Sequence, residues 1–453
     1  MSAPEIVLAS VEEKRRVRRE VLALAWPAIV QSLLHTLVFA VDRAMLGRYG
    51  RAELSSMQVA GPLSWSLVSI FTSFAAGTIA TVARAWGEGD RDKAAQHAAA
   101  SLWMALLVGV AVGGIGLALL RPLVGFFHLE GEGPRLTTAY LQIILAAAPL
   151  LFLGIVGTSV LRASGDTKTP MAIAILANLA NVAGNYALIY GRFGAPELGI
   201  RGAALATAGS LGLECLLTAA CLFGRRRRVL ALRHFPIDRT AAARILRVSV
   251  PAFLERVAMH SGFLVFAGIV SGLGEVSAAA NQICISVESF SFLAAEGFGV
   301  AAATIMGQKL GAGRPDLASR GCREAVLLSV GFLCFGALLY VLVPAVLVAP
   351  FSRDAEVLAL AAGCLAVGAL GQPTMAVGIT LSSGLRGAGD TRGPLAVTMA
   401  GVWMVRLATS WLFAVRLGWG LPGIWYSTAL DWAVRAALLV TIFRFGRWRS
   451  IRL

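Results

Sequence analysis

The 453-residue sequence predicts an all-α integral membrane protein with twelve transmembrane helices in two parallel six-helix repeats. Three observations carry this prediction. The chain is 57% hydrophobic and only 14% charged, whereas soluble domains hold about a quarter charged residues. Apolar segments long enough to cross about 30 Å of hydrocarbon follow one another with short connections. A set of motifs recurs at a constant offset of 224 residues, as from Pro27 to Pro251.

The segments run over residues 21–48, 57–84, 97–127, 137–161, 170–192, 199–223, 245–272, 276–305, 319–349, 356–383, 394–416 and 422–445. Residues 1–20 form a polar, basic tail. They are not expected to be a cleaved signal peptide, because the next apolar run is too long and lacks a small-residue cleavage site. The first six segments make an N-lobe (21–223) and the last six a C-lobe (245–446), followed by a short tail (447–453). Between the lobes lies a basic linker, 224–244, which opens with Gly224 and Arg225–Arg228.

Lys and Arg collect in the two tails, the linker and the loops after even-numbered segments. That asymmetry places both termini in the cytoplasm of a multi-pass cell (inner) membrane protein. The same topology accounts for the net charge of +15. Nucleic-acid binding is disfavoured, because the basic residues sit between apolar runs. The six cysteines lack paired spacing and read as buried free thiols, with neither disulfides nor a metal site expected.

The repeat needs no gap. Gly87 and Gly89 match Gly311 and Gly313, and Pro149 matches Pro373. Leu161-Arg162, Gly165-Asp166-Thr167 and Pro170 match Leu385-Arg386, Gly389-Asp390-Thr391 and Pro394. Six segments per half put both halves in the same orientation, an arrangement typical of alternating-access transporters. The LRxxGDTxxP motif has a plain structural account: Gly for a left-handed turn, Asp and Thr as caps, Pro in the first turn of the next helix.

Repeats that share a scaffold should differ where their chemistry differs. Asp42 in the first segment pairs with Phe266, and an intramembrane carboxylate is a functional candidate by default. Gln31, His35 and Asp42 fall within about 40° on a helical wheel. Arg43 is the alternative partner for Asp42. Asn178, Asn181 and Asn185 share one face of the fifth segment, within about 60°, and pair with Val402, Val405 and Thr409. Thr207 in the sixth segment pairs with Asp431. Asp42, Asn185 and Thr207 all lie roughly 10–12 Å below the outer surface at 1.5 Å per residue, so they can meet and hold a proton or a small cation.

The second half has its own acids. Glu255 pairs with Gln31, Glu288 with Ser64 and Glu296 with Thr72. They either line a central cavity that attracts cations or pair internally. Asp431 and Arg435, four apart, read as an intrahelical ion pair. Arg406 is expected to pair with one of these acids. His35 has no second His or Cys at ligand spacing, so no metal is expected. No GxxxxGK[ST] loop, HExxH motif or nucleophile–base constellation occurs. Nucleotide, cofactor and enzyme chemistry are therefore not expected, and any coupling comes from an ion gradient.

At the level of motifs the chain resembles the multidrug and toxic compound extrusion family. The resemblance rests on VDRAMLGRYG (41–50), RAWGEGDRDKA (84–94), VLRASGDTKTP (160–170), NVAGNYALIYGRFGAPELGIRGAALATA (181–208), ANQICISVESFSF (280–292), GVAAATIMGQKLGAGRPDLA (299–318) and GLRGAGDTRGP (384–394). It implies two six-helix lobes forming a V, and export of small cationic drugs or metabolites in exchange for H⁺ or Na⁺. The family's aspartate falls on Asp42, its polar pair on Asn181 and Asn185, and its threonine on Thr207. Many members carry an aspartate where this chain has Asn185, a departure that favours H⁺ over Na⁺.

The expectation is therefore an antiporter with Asp42, Asn178, Asn181, Asn185 and Thr207 at the coupling site. Gln31, His35, Glu255, Glu288 and Glu296 are expected in the substrate cavity. The lipid bilayer and small cationic substrates are the expected partners, and a monomer is the expected state. A lipid-linked oligosaccharide flippase is the alternative; it would need a cavity rich in Arg and Lys to bind pyrophosphate.

Overall fold

The computed structural model describes residues 3–127, 129–224 and 238–451, so Arg225–Arg228 and most of the basic linker lie outside the described residues. Every regular element among the described residues is helical. In the first half the long helices are α1 (Ala3–Tyr49), α2 (Ala52–Gly87), α3 (Arg91–Ala118), α4 (Gly133–Ala146 and Ala148–Ala163), α5 (Lys168–Tyr190) and α6 (Ile200–Phe223). In the second they are α7 (Arg239–Ser271), α8 (Glu275–Gly311), α9 (Pro315–Leu342), α10 (Ala355–Gly387), α11 (Arg392–Arg416) and α12 (Gly420–Phe445).

Ten of the described helices are long and apolar enough to cross a membrane, or eleven when the two parts of α4 count as one span. The remaining one, α12, has 26 residues but carries Asp431, Arg435 and Arg444. The helices overrun the apolar segments at their ends, because polar residues continue a helix past the hydrocarbon. The polar residues expected as an N-terminal tail accordingly extend α1 from Ala3. Glu13 pairs with Arg320 of α9, and Glu20 with Lys309 of α8 at 2.9 Å.

The repeated prolines and glycines have local explanations. Proline cannot donate the i→i−4 bond. Pro149 accordingly sits where α4 bends by 49°, and Pro373 where a 3₁₀ turn, Ala369–Gly371, interrupts α10. Gly165 and Gly389 adopt φ of 91° and 94°, which favours glycine. The neighbouring Asp166 and Asp390 each accept a backbone N–H at 3.0 Å, from Thr169 and Gly393. These are the same turn and the same cap in both halves.

The chain forms two compact units. The N unit runs from Val30 to Ser249; the C unit combines the start of α1, through Ile29, with Val250 onward. The packing boundary therefore runs inside α1 and α7, close to Pro27 and Pro251, and not through the linker. Val17, Val21, Leu24 and Ala25 of α1 are buried with Phe298, Ile305, Leu385 and Trp448. Ala241 and Ile245 of α7 pack on Ala100, and Ser249 Oγ donates to the Phe74 carbonyl at 3.1 Å.

Candidate functional site

In the N unit, Asp42 of α1 is fully buried, as are Asn181 and Asn185 of α5. Asn185 Nδ2 donates to Asp42 Oδ1 at 2.5 Å and to Asn181 Oδ1 at 3.1 Å. Thr207 Oγ1 of α6 donates to Asp42 Oδ2 at 3.2 Å and accepts from Asn181 Nδ2, also at 3.2 Å. Three helices thus deliver one carboxylate into a ring of neutral groups. Asn185 Oδ1 is buried and finds no hydrogen-bond partner among the described residues. Arg43 is exposed, makes no ion pair with Asp42 among the described residues, and lies against Gly61 of α2. Tyr140 of α4, buried as well, falls within electrostatic range of Asp42.

The other expected coupling residue, Asn178, is placed differently. Its Nδ2 donates to the Ala174 carbonyl of its own helix at 2.6 Å. The stripe of Gln31, His35 and Asp42 is also divided. Gln31 is 1% exposed and its Oε1 accepts from Arg162 Nη2 of α4 at 2.7 Å. His35 is half-buried. Eleven residues of helix separate Gln31 from Asp42 by roughly 16 Å, too far for one site.

The equivalent places in the C unit carry different chemistry. Phe266 stands where Asp42 does, and the carboxylate is on α12 at Asp431, the counterpart of Thr207. Asp431 is fully buried, with Arg435 Nε at 2.7 Å and Arg406 Nε of α11 at 2.8 Å. Arg406 also lies 5.9 Å from the Phe266 ring. Gly401 makes this approach feasible, since a Cβ there would fall 2.4 Å from both Arg435 Nε and Asp431 Oδ1. Around it α11 widens into π-helical turns, Ala400–Arg406 and Trp411–Arg416, a feature that often accompanies functional sites.

Glu255 of α7 accepts from Arg386 Nη1 on both oxygens at 3.0 Å and from Thr398 Oγ1 at 3.0 Å. Glu296 of α8 pairs with Arg256 at 3.0 Å. These four charged residues, with Arg435, border a cavity of about 40 Å³ that Trp432, Phe292 and Met259 complete. Glu288 does not border it; its Oε1 accepts from Gln372 Nε2 of α10 at 3.3 Å.

Sequence reasoning missed one relation. Gln31 and Glu255 are repeat equivalents, and so are Arg162 and Arg386. The arginine of each LRxxGDT motif therefore reaches the first helix of its own half. Glu214 of α6, 7% exposed, is the carboxylate whose charge acts on Arg162; its counterpart in the other half is Leu438. The signal was in the repeat, as two matched pairs, but only the fold joins them.

Comparison with known proteins agrees with this architecture. The MatE family model matches the chain twice, over residues 27–187 and 251–412, with starts 224 residues apart. A probable multidrug resistance protein NorM of Thermotoga maritima is 30% identical over 440 residues, 97% of this chain and 95% of that protein. The multidrug resistance protein PmpM of Pseudomonas aeruginosa is 28% identical over 464 residues, 100% of this chain and 96% of that protein. An outward-facing structure of a multidrug resistance MATE family transporter of the MOP superfamily has a TM-score of 0.88 at 20% identity, covering 96% of each chain, a likeness of fold. With both repeats matched and nearly the whole chain covered, the protein belongs to the MatE family, a family of membrane transporters and not of enzymes.

Proposed function

We propose that this transporter is a secondary antiporter that exports cationic, amphipathic drugs or metabolites in exchange for H⁺ by alternating access. In this reading it acts as a monomer in the inner membrane, with both termini cytoplasmic. The observation that carries the reading is the buried Asp42, held among the described residues only by neutral groups. An ionised carboxylate out of water and without a cation is costly. A proton or small cation that arrives and leaves once per cycle turns that cost into a switch.

The geometry around Asp42 favours a proton over Na⁺. The group facing its Oδ1 is the NH₂ of Asn185, a donor, and a donor repels a metal ion. A carboxylate only accepts hydrogen bonds, whereas a carboxylic acid also donates one. Once protonated, Asp42 has a donor for the partnerless Asn185 Oδ1. Proton binding then rearranges the bonds that tie α1 to α5 and α6, and shifts the balance between two access states. Asn181 and Thr207 relay this change; Asn178 contributes to the α5 backbone that carries it.

The relatives' names support a drug-like cargo. We assign Glu255 and Glu296 to its route, beside the aromatic and thioether surface of Trp432, Phe292 and Met259, together with His35. Gln31 serves the Arg162 contact instead. The flippase alternative is not favoured: Arg256, Arg386 and Arg435 each already hold a carboxylate. The test is Asp42→Asn in proteoliposomes. The variant should fold, yet lose ethidium exchange driven by a pH gradient; full exchange would refute the assignment. Collapsing the pH and Na⁺ gradients separately in everted vesicles identifies the coupling ion, and only the former should stop efflux.

A further inference from the structure

The C unit contains a second carboxylate, half-buried, whose hydrogen bond comes from a neutral amide. Gln372 Nε2 donates to Glu288 Oε1 at 3.3 Å, and Gln372 is fully buried. Gln372 Oε1 is buried and finds no hydrogen-bond partner among the described residues. This repeats the arrangement of Asp42 and Asn185: an acid, the NH₂ of an amide, and an amide oxygen left over. The positions are not repeat equivalents, since Glu288 corresponds to Ser64 and Gln372 to Ala148. The same chemistry occurs on different helices.

Glu288 also differs from the neighbouring acids of its own unit. Glu255, Glu296 and Asp431 each have an arginine nitrogen at 3.0 Å or less. Arg406 of α11 acts on Glu288 through its field, but its Nε is engaged by Asp431. The charge of Glu288 also acts on Tyr340 of α9 and Cys284 of α8. Tyr340 Oη contacts Ser291 Oγ at 3.0 Å and the Val287 carbonyl at 3.3 Å, and Cys284 Sγ donates to the Ala361 carbonyl at 3.2 Å. Gln372 is thus the group that responds to the charge state of Glu288. It stands at the start of the second part of α10, just after the 3₁₀ break and next to Pro373.

We propose that Glu288 and Gln372 form a second proton-binding site, within the C unit, whose occupied state is a neutral carboxylic acid paired with the amide. An acid and a primary amide complement each other through two hydrogen bonds, O–H to the amide oxygen and N–H to the acid carbonyl. The ionised carboxylate can use only the N–H. Protonation therefore satisfies the amide oxygen, and a buried acceptor without a partner costs about 1–3 kcal/mol. A metal cation is disfavoured by the NH₂ that faces the carboxylate and by the nearby Arg406 guanidinium. This site goes beyond the antiport reading, which needs one coupling carboxylate, and its existence does not depend on transport.

Infrared difference spectroscopy on the purified full-length protein in lipid tests it without cargo. Spectra are compared at about pH 6, above the range in which exposed carboxylates titrate. In an Asp42→Asn background, one carbonyl band of a protonated carboxylic acid should remain. Adding Glu288→Gln should remove it, and adding Gln372→Leu should shift it, because the acid loses its partner. Na⁺ should leave the band in place. No difference on adding Glu288→Gln, an unmoved band in the Gln372→Leu variant, or displacement by Na⁺ each overturns the proposal. Should Glu288→Gln fail to fold, the Gln372→Leu comparison decides alone. The spectrum of wild type minus Asp42→Asn reports on Asp42 separately, so failure of either site is distinguishable from failure of the other.

Discussion

The two units place a buried carboxylate in corresponding surroundings and treat it in opposite ways. In the N unit Asp42 meets an amide and a hydroxyl. In the C unit Asp431 sits between two guanidinium groups. The first charge lacks compensation, and the second is over-compensated. Removing one partner of a buried ion pair strands the other; removing a charge that has no partner strands nothing. On the proposed reading, Asp42 is the acid that changes its charge state and Asp431 is the one that holds helices together.

The largest effect expected from this contrast is on stability. Asp431→Asn should destabilise the protein by about 3–5 kcal/mol, the cost of leaving buried charges uncompensated. Asp42→Asn keeps the shape and a hydrogen-bonding amide, and should unfold at nearly the wild-type temperature while losing exchange. Thermal unfolding of the two purified variants measures this. Equal losses would erase the distinction between the clusters.

The same contrast shows what can be read without coordinates. Asp42, Asn181, Asn185 and Thr207 were legible as a group, because matched depth on three helices is a one-dimensional property. The repeat made Pro149 and Pro373 legible as a matched pair, but not that each marks a break in its helix. Asn178 shares a face with the other asparagines, yet its side chain turns back to the Ala174 carbonyl, a choice of rotamer that helical spacing does not encode. The packing boundary inside α1 and α7 was not legible either. It depends on which surfaces Val17 to Ala25 meet, and hydropathy is blind to that. Glu255 was expected either to line a central cavity or to pair internally; it is bound to Arg386 and borders a small cavity.

Arg162 and Arg386 give a finer version of the comparison. Both reach the first helix of their half, but the compensating charge comes from α6 in one (Glu214) and from α7 in the other (Glu255). Glu214→Leu should therefore weaken the N unit by removing the carboxylate charge that acts on Arg162. Adding Gln31→Glu supplies the charge from α1, as Glu255 supplies it from α7. The double variant should recover much of the lost stability, with a coupling of about 0.5–3 kcal/mol in a double-mutant cycle. Additive losses would mean that Glu214 and Gln31 do not share Arg162 as a partner.

The smallest effect is expected where the halves do not differ. Asp166 and Asp390 cap the helix after the same left-handed glycine, with the same 3.0 Å bond. Losing such a cap costs about 1 kcal/mol. Asp166→Ala and Asp390→Ala should each lower stability by that amount, and the double variant by the sum, since distant sites act independently. Transport per folded molecule should be unchanged in both, which is how a scaffold residue differs from Asp42. If Asp166→Ala impaired exchange and Asp390→Ala did not, the LRxxGDT motif would carry function in one half only. The division between shared scaffold and divergent chemistry would then have to be redrawn around Arg162.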